Sequence, residues 1–304
     1  MVASMTKRER DLGEILETLD VLDWQGPVHT NTPGSPIAAL EDGKVLYFPR
    51  LAFEMAQEER RFLSPAFADV RAKNVSFDAN IGVLKHAVGS ATDLTAIMAM
   101  LRRYEGHALA LLRLLLPQYS DALEIGRTSF RPAEIAGRHL SAKKDDTRLH
   151  VDAFPSTPTG GKRILRVFTN VNPDGQGREW RLGASFEEVA RTFVARAQGY
   201  SPLKAALLKS FGATKSYRTA YDHVMLKIHD SMKADEAYQR EIEQNAFSFP
   251  SGSTWIVYTD KVSHAAMGGQ HLFEQTFYLP VNAMVDPAKA PLRILERIAG
   301  CPLV

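Results

Sequence analysis

His150-Val-Asp-Ala-Phe-Pro155, followed a short turn later by Arg163-Ile-Leu-Arg-Val-Phe-Thr-Asn-Val-Asn172, is the stretch on which the reading of this chain turns. Its β-branched and alternating residues predict strands over 147–153 and 162–171, and the Pro/Gly-rich residues 155–161 between them predict a β-hairpin. Side chains two apart on a strand share a face, so His150 and Asp152 would present an imidazole and a carboxylate side by side. A third donor of the same kind stands far downstream: His264, just past a strand predicted over 254–260.

Outward from this stretch the pattern changes twice. Downstream, Ser185 and Glu188 form a capping box that opens a helical run closing at Gly199 and continuing through 203–211 and 220–242. Strands then resume: Phe247-Ser-Phe-Pro-Ser-Gly252 leads into 254–260, and Gly268-Gly269 breaks the chain before an alternating strand over 272–279. Upstream, a short strand over 44–48 precedes a charged amphipathic helix near 52–62. A long helix then runs from Thr92 as N-cap to residue 116, with Leu94, Ile97, Leu101, Tyr104, Ala108, Leu111 and Leu115 as its core stripe and Pro117 as its stop. No repeat or linker divides the chain. The expectation is one domain over 1–304. Residues 1–126 form a mainly helical support, 127–172 and 246–285 the strand core, and 173–245 a helical insertion or lid.

With 304 residues, 45% of them hydrophobic, the chain can bury a sizeable core. Its longest apolar run, 108–116, is interrupted by Arg113, which excludes a membrane-spanning helix there. Thr6-Lys7-Arg8-Glu9-Arg10-Asp11 carries no apolar h-region, so no secretory leader is expected. The single Cys301 excludes an intrachain disulfide and a thiolate metal site, and suits a reducing cytoplasm. The net charge of +2 is unevenly spread. Between Arg127 and Arg166, nine Lys or Arg stand against four acids, a local +5 that leaves −3 for the remainder. Such a segment is either a solvated basic face or the recognition surface of an anion.

Two imidazoles and one carboxylate leave three open positions on an octahedral ion, which is the donor set of non-haem Fe(II) oxygenases. Nine His and 17 Asp in 304 residues give roughly 0.5 His-x-Asp triplets by chance, so the triplet gains its weight from its strand and turn setting. That setting resembles the double-stranded β-helix dioxygenases, in which a His-x-Asp strand, a turn and a strand ending in a hydrophobic-Asn pair follow one another. More narrowly, the run from His150 to Gly175, together with Phe249-Pro-Ser-Gly-Ser-Thr-Trp-Ile-Val-Tyr-Thr-Asp-Lys-Val-Ser-His264-Ala, is similar to the Kdo 3-hydroxylase family, which oxidises the Kdo sugar (3-deoxy-D-manno-oct-2-ulosonic acid) of the lipopolysaccharide inner core.

The resemblance implies an α+β chain with a double-stranded β-helix (jelly-roll, cupin-like) core flanked by helices. It also implies Fe(II) on His150, Asp152 and His264, with 2-oxoglutarate and O2 as co-substrates in hydroxylation of C3 of Kdo. Dioxygenases of this fold usually anchor the distal carboxylate of 2-oxoglutarate with an Arg or Lys about ten residues after the second His, and here that region offers only His271. Arg166, on one predicted face with Phe168 and Asn170, is the candidate instead, the alternative being a bridge to a protein carboxylate. Asn170, Gln275 and His271 are weaker candidates for the same pocket. The acceptor's carboxylate and phosphates give the basic segment a purpose, with Arg127, Arg131, Lys143, Lys144 and Arg148 as candidate contacts, Arg148 foremost as it lies two residues before His150. Tyr221, His223 and Lys227 of the insertion are candidate sugar contacts. His223 and His229, six apart, do not share a helical face, so no second metal site is expected.

The partner expected is thus a Kdo-bearing lipid A or similar anionic glycolipid, met by peripheral contact with the cytoplasmic face of the inner membrane, with no stable protein partner. A nucleic-acid substrate is not expected, since no basic stripe is interleaved with aromatics. Two other readings stay open at this point: a 2-oxoglutarate dioxygenase acting on another anionic small molecule or lipid, and a cupin-like module that binds metal without oxidation.

Overall fold

The computed structural model describes residues 12–26, 35–134 and 141–304; Arg138 of the basic segment and the stretch Thr6 to Asp11 lie outside them. Eleven strands are present among the described residues: β1 (Leu16–Thr18), β2 (Val45–Phe48), β3 (Val75–Asp78), β4 (Val83–Lys85), β5 (Glu124–Arg131), β6 (Arg163–Asn170), β7 (Arg178–Leu182), β8 (Asn245–Phe249), β9 (Thr254–Tyr258), β10 (His264–Gly268) and β11 (Leu272–Leu279). Eight form a large sheet in the order β1-β2-β9-β6-β11-β5-β3-β4, and three form a smaller one in the order β10-β7-β8. Apart from the parallel β1–β2 pair, every ladder is antiparallel. This is the α+β jelly-roll architecture the sequence suggests.

The large sheet is buried on both faces because its central strands alternate between two sets of apolar partners. From β6 and β11, Leu165, Val167, Phe273 and Phe277 join a helix-side cluster that includes Ile97, Leu101, Tyr104 and Leu111 of the long helix Ala91–Leu115. Each fully buried side chain of this size contributes about 1.5–3 kcal/mol. On the opposite face Phe168 and Leu272 join Trp180 and Leu182 of β7, Phe249 of β8 and Trp255 of β9 in a second core shared between the sheets. The Phe249 and Trp255 rings stack there at 4.0 Å.

The structure departs from the sequence reading in several places. Residues 147–153 do not form a hairpin with β6: both edges of β6 are taken by β9 and β11, and the segment crosses to the smaller sheet instead. The long helix starts two residues earlier than Thr92 suggested, because Ser90 and Asp93 cap each other reciprocally. The helix expected near 52–62 is only the 3-10 segment Gln57–Leu63. Residues 1–126 are not merely helical support, since they supply β1 to β4 and the start of β5. The insertion is not all helix either: its first element, β7, is the central strand of the smaller sheet. Four helices follow it, Phe186–Phe193, Pro202–Ser210, Ala220–Ala234 and Glu236–Glu241.

Candidate metal centre and its cavity

His150 and His264, 114 positions apart, are directly opposite residues of one antiparallel bridge. They exchange both backbone bonds, at 3.0 and 2.9 Å, which brings their rings to 4.6 Å. Asp152 is fixed beside them by its amide, which donates to the Thr259 carbonyl at 2.8 Å. Each imidazole donates from Nδ1 to the carbonyl two residues before it, His150 to Arg148 at 2.7 Å and His264 to Val262 at 2.8 Å. Those bonds fix the tautomer and leave both Nε2 lone pairs free for a cation.

One atom from each of the three residues lies within 4.8 Å of the other two, and His150 Nε2 to Asp152 Oδ1 is 3.8 Å. An octahedral ion with bonds near 2.1 Å holds adjacent donors roughly 3 Å apart, so a small inward movement closes the set. Protonation does not stand in the way. Burial lowers the His150 imidazole well below its ordinary value, helped by the His264 and Lys233 charges, and burial lowers His264 too. Burial alone would raise the Asp152 carboxyl, but Arg166, His264 and His150 outweigh it and keep Asp152 ionised. Two neutral imidazoles and one carboxylate are therefore buried together, with Asp152 Oδ1 facing His150 Nε2 and Oδ2 facing the Arg166 guanidinium. The residues present fit a divalent ion.

The triad lines a cavity of about 250 Å³ whose wall is rich in cations: Lys73, Arg131, Arg166, Arg178 and Lys233. Arg166 lines the cavity, on the face shared with Phe168, and its charge is divided between Asp152 at 3.2 Å and Glu274 at 3.0 Å, the bridge to protein carboxylates that the sequence left open as the alternative to a 2-oxoglutarate anchor. Glu274 also takes Arg131 at 2.7 Å. Arg178 differs. It is buried, makes one hydrogen bond, from Nη1 to the Gly269 carbonyl at 2.6 Å, and has no carboxylate within ion-pair distance among the described residues. Its Nε has no hydrogen-bond partner among the described residues. Burial, reinforced by Arg131, pushes its pKa down to about 9. A guanidinium held this way keeps donors that a carboxylate could pair with. Gly269 allows it to be there: at φ +96, it runs so close to β7 that a Cβ would lie 2.7 Å from the Gly177 carbonyl oxygen.

Two further residues complete the near wall. Trp180 stacks on the His264 ring at 5.1 Å, and His229, paired with Asp230 at 3.0 Å, meets the His150 ring edge-on at 5.4 Å. His229 and Lys233 come from one face of the helix Ala220–Ala234, so the insertion builds part of the site. A second, larger cavity of about 430 Å³ adjoins the first at Asn74, Arg131, Phe154, Pro155 and Arg166. Arg127, Lys215, His86 and Asn80 line it further out.

Several expected contacts are elsewhere. Gln275 faces the helix side, bonded to Thr128 at 2.5 Å, because it is one residue out of phase with Glu274. The Asn170 amide holds the Gln176 and Phe249 carbonyls, and His271 lines neither cavity. Arg148 turns away from the triad to the Lys233 carbonyl and Glu236; its segment is not a strand, so two-residue spacing does not carry it onto the face of His150. Lys143 pairs with Asp230 at 2.7 Å, and Lys144 is exposed outside both cavities. Tyr221 is core, His223 bonds the Gln198 carbonyl, and Lys227 is exposed. Arg127 and Arg131 do line the cavities.

A jelly roll carrying two histidines and an aspartate at one buried point, beside a cation-lined cavity, has the fold and donor set of the non-haem Fe(II), 2-oxoglutarate-dependent dioxygenases. The comparisons narrow the class. The sequence profile of 3-deoxy-D-manno-oct-2-ulosonic acid (Kdo) hydroxylase matches residues 23–302, and the chain belongs to that family. Among solved structures it is similar to the Kdo hydroxylase KdoO, described as a non-heme Fe(II) alphaketoglutarate dependent dioxygenase. The complex with alphaketoglutarate and Fe(III) is 47% identical, covers 95% of this chain and 97% of the other, and superposes with a TM-score of 0.91. The cobalt(II) complex is 48% identical over the same shares, with a TM-score of 0.92. No curated protein matches the chain.

Proposed function

We propose that this protein hydroxylates C3 of the Kdo sugar in a Kdo-bearing lipid A acceptor, with ferrous iron held by His150, Asp152 and His264. The observation that carries the reading is the convergence of three buried donors within 4.8 Å at the floor of a cation-lined cavity. Iron bound there, with 2-oxoglutarate and dioxygen, supplies an oxidant able to convert a C–H bond to C–OH.

The protein's own residues bind, orient and exclude water. Arg178 takes the distal carboxylate of 2-oxoglutarate, with Arg131 and Arg166 beside it, exchanging an unpaired buried cation for a charge-assisted hydrogen bond. Trp180 and His229 hold the rings of His264 and His150 in place. The adjoining cavity receives the sugar acid, its carboxylate facing Arg127 and Lys215, and its volume lies in the range usual for small-ligand sites. The segment between β7 and β8 acts as the cover that selects the acceptor.

The test is a Kdo-lipid A acceptor incubated with the protein, Fe(II), 2-oxoglutarate and ascorbate. The expected result is a gain of one oxygen atom in mass with one succinate released per turnover. Succinate release without acceptor oxidation would move the substrate to another anionic molecule, and no succinate at all would reject the dioxygenase.

A further inference from the structure

The helix Pro202–Ser210 and the residue after it carry an apolar stripe that none of the described residues covers: Leu203, Leu207 and Phe211, which are 72%, 47% and 82% exposed. Spaced by four, they lie along one face of the helix. Burial of the helix itself is slight, with Ala205 its one fully buried residue. Along the sequence, the charge on either side of the stripe has a single sign. No acidic residue occurs between Glu188 and Asp222, and the exposed Lys204, Lys209 and Lys215 have no ion-pair partner among the described residues.

This segment also has a fixed place relative to the site. Lys215 lines the outer cavity and its amide donates to the Ser156 carbonyl at 2.9 Å, while Ser216 donates to the Pro158 carbonyl at 3.1 Å. The stripe is thereby tied through the 155–158 turn to the mouth of the substrate cavity. On the opposite wall, the β3–β4 hairpin that contributes Asn80 to that cavity ends in Ile81, 66% exposed.

We infer that Leu203, Leu207 and Phe211, flanked by Lys204 and Lys209, form a docking surface for an anionic lipid bilayer that brings the cavity mouth to the membrane. Apolar side chains enter the headgroup boundary and the lysines meet anionic lipid, the combination by which short amphipathic helices lie on membranes. The inference rests on the reading of the substrate as a glycolipid: an acceptor whose acyl chains stay in the bilayer must be met there.

The test is co-sedimentation of the full chain with vesicles of phosphatidylcholine containing or lacking one third phosphatidylglycerol, at two salt concentrations. Binding is expected to the anionic vesicles and to fall as salt rises. A basic residue near such a surface is worth roughly a five-fold change in binding, so K204A/K209A is expected to weaken it about thirty-fold. Leu207→Asp with Phe211→Asp is expected to abolish it, with circular dichroism unchanged because these side chains are exposed. Turnover of a delipidated Kdo oligosaccharide, measured in parallel, separates the two ideas. Variants that lose vesicles but keep this turnover support the docking surface, whereas absent turnover in the wild type with intact vesicle binding counts against the proposed reaction alone. No binding by the wild type, equal binding by the variants, or equal binding to neutral vesicles overturns the docking surface. So does concentration-dependent dimerisation relieved by the aspartates, which would make the stripe a contact between two copies.

Discussion

Replacing Arg178 by Met should move stability and co-substrate binding in opposite directions. Arg178 is depressed from 12.5 to about 9 in the folded chain. A cation whose folded pKa lies below its unfolded value costs stability at every pH under the folded value, and the cost fades as pH rises from about 9 towards 12.5. At neutral pH the shift corresponds to an upper bound of about 5 kcal/mol. Removing Arg178 also strands the Gly269 carbonyl, at a cost of about 1–3 kcal/mol. Apolar replacement of buried charge has stabilised other proteins by about 1–4 kcal/mol, so a net gain of about 2 kcal/mol is expected for the apo protein. At a chain of this size that raises Tm by about 4 °C. Loss of the anion receptor should weaken 2-oxoglutarate by about 2–5 kcal/mol, or 30-fold or more. Thermal unfolding of the apo protein and anaerobic titration of the visible band of the Fe(II)–2-oxoglutarate complex read the two effects. A variant that is less stable and binds 2-oxoglutarate normally would refute the assignment and make Arg178 an ordinary structural residue.

Gly269→Ala should push β11's lead-in off β7 through a 2.7 Å clash with the Gly177 carbonyl and a φ of +96. The expected loss is about 2–4 kcal/mol by denaturant unfolding, with 2-oxoglutarate binding weakened because Arg178 is displaced. Asp260→Asn leaves Arg163 charged in a fully buried pair whose bonds are 2.7 and 3.2 Å, and should cost about 3–5 kcal/mol, visible as a Tm drop near 8 °C. Lys261 is lowered from 10.5 to about 8, chiefly by burial. The unfolded chain therefore binds the extra proton between those values, so stability should rise with pH across that window, by at most about 3 kcal/mol, and Lys261→Met should flatten the rise. Trp180 stacks on His264, so adding Co(II) to the apo protein should quench its fluorescence in wild type and not in Trp180→Phe.

What could be read from the sequence followed from local spacing. The triad was legible because His-x-Asp and a distant His on strand-like segments name their own chemistry, although the His150 segment bridges to β10 instead of forming the expected hairpin with β6. Arg166 was legible because a charge in mid-strand among apolar neighbours must find a partner. Arg178 and Trp180 were not. They sit on a five-residue strand after a turn, and its identity depends on β8 and β10, which lie more than 60 residues away in sequence. Their roles come from burial, which leaves no local signature. Gln275 and Arg148 show the converse. A one-residue error of phase puts Gln275 on the wrong face, and the absence of a strand removes the parity rule on which Arg148 depended.

If His150, Asp152 and His264 grip one ion together, removing any one of them should release it. Anaerobic equilibrium dialysis against Fe(II), with metal analysis of the wild type and of His150→Ala, Asp152→Ala and His264→Ala, tests it most directly. One iron per chain is predicted for the wild type, with affinity falling at least a hundred-fold in each folded variant and no succinate formed. A variant that still holds one iron at wild-type affinity would contradict it.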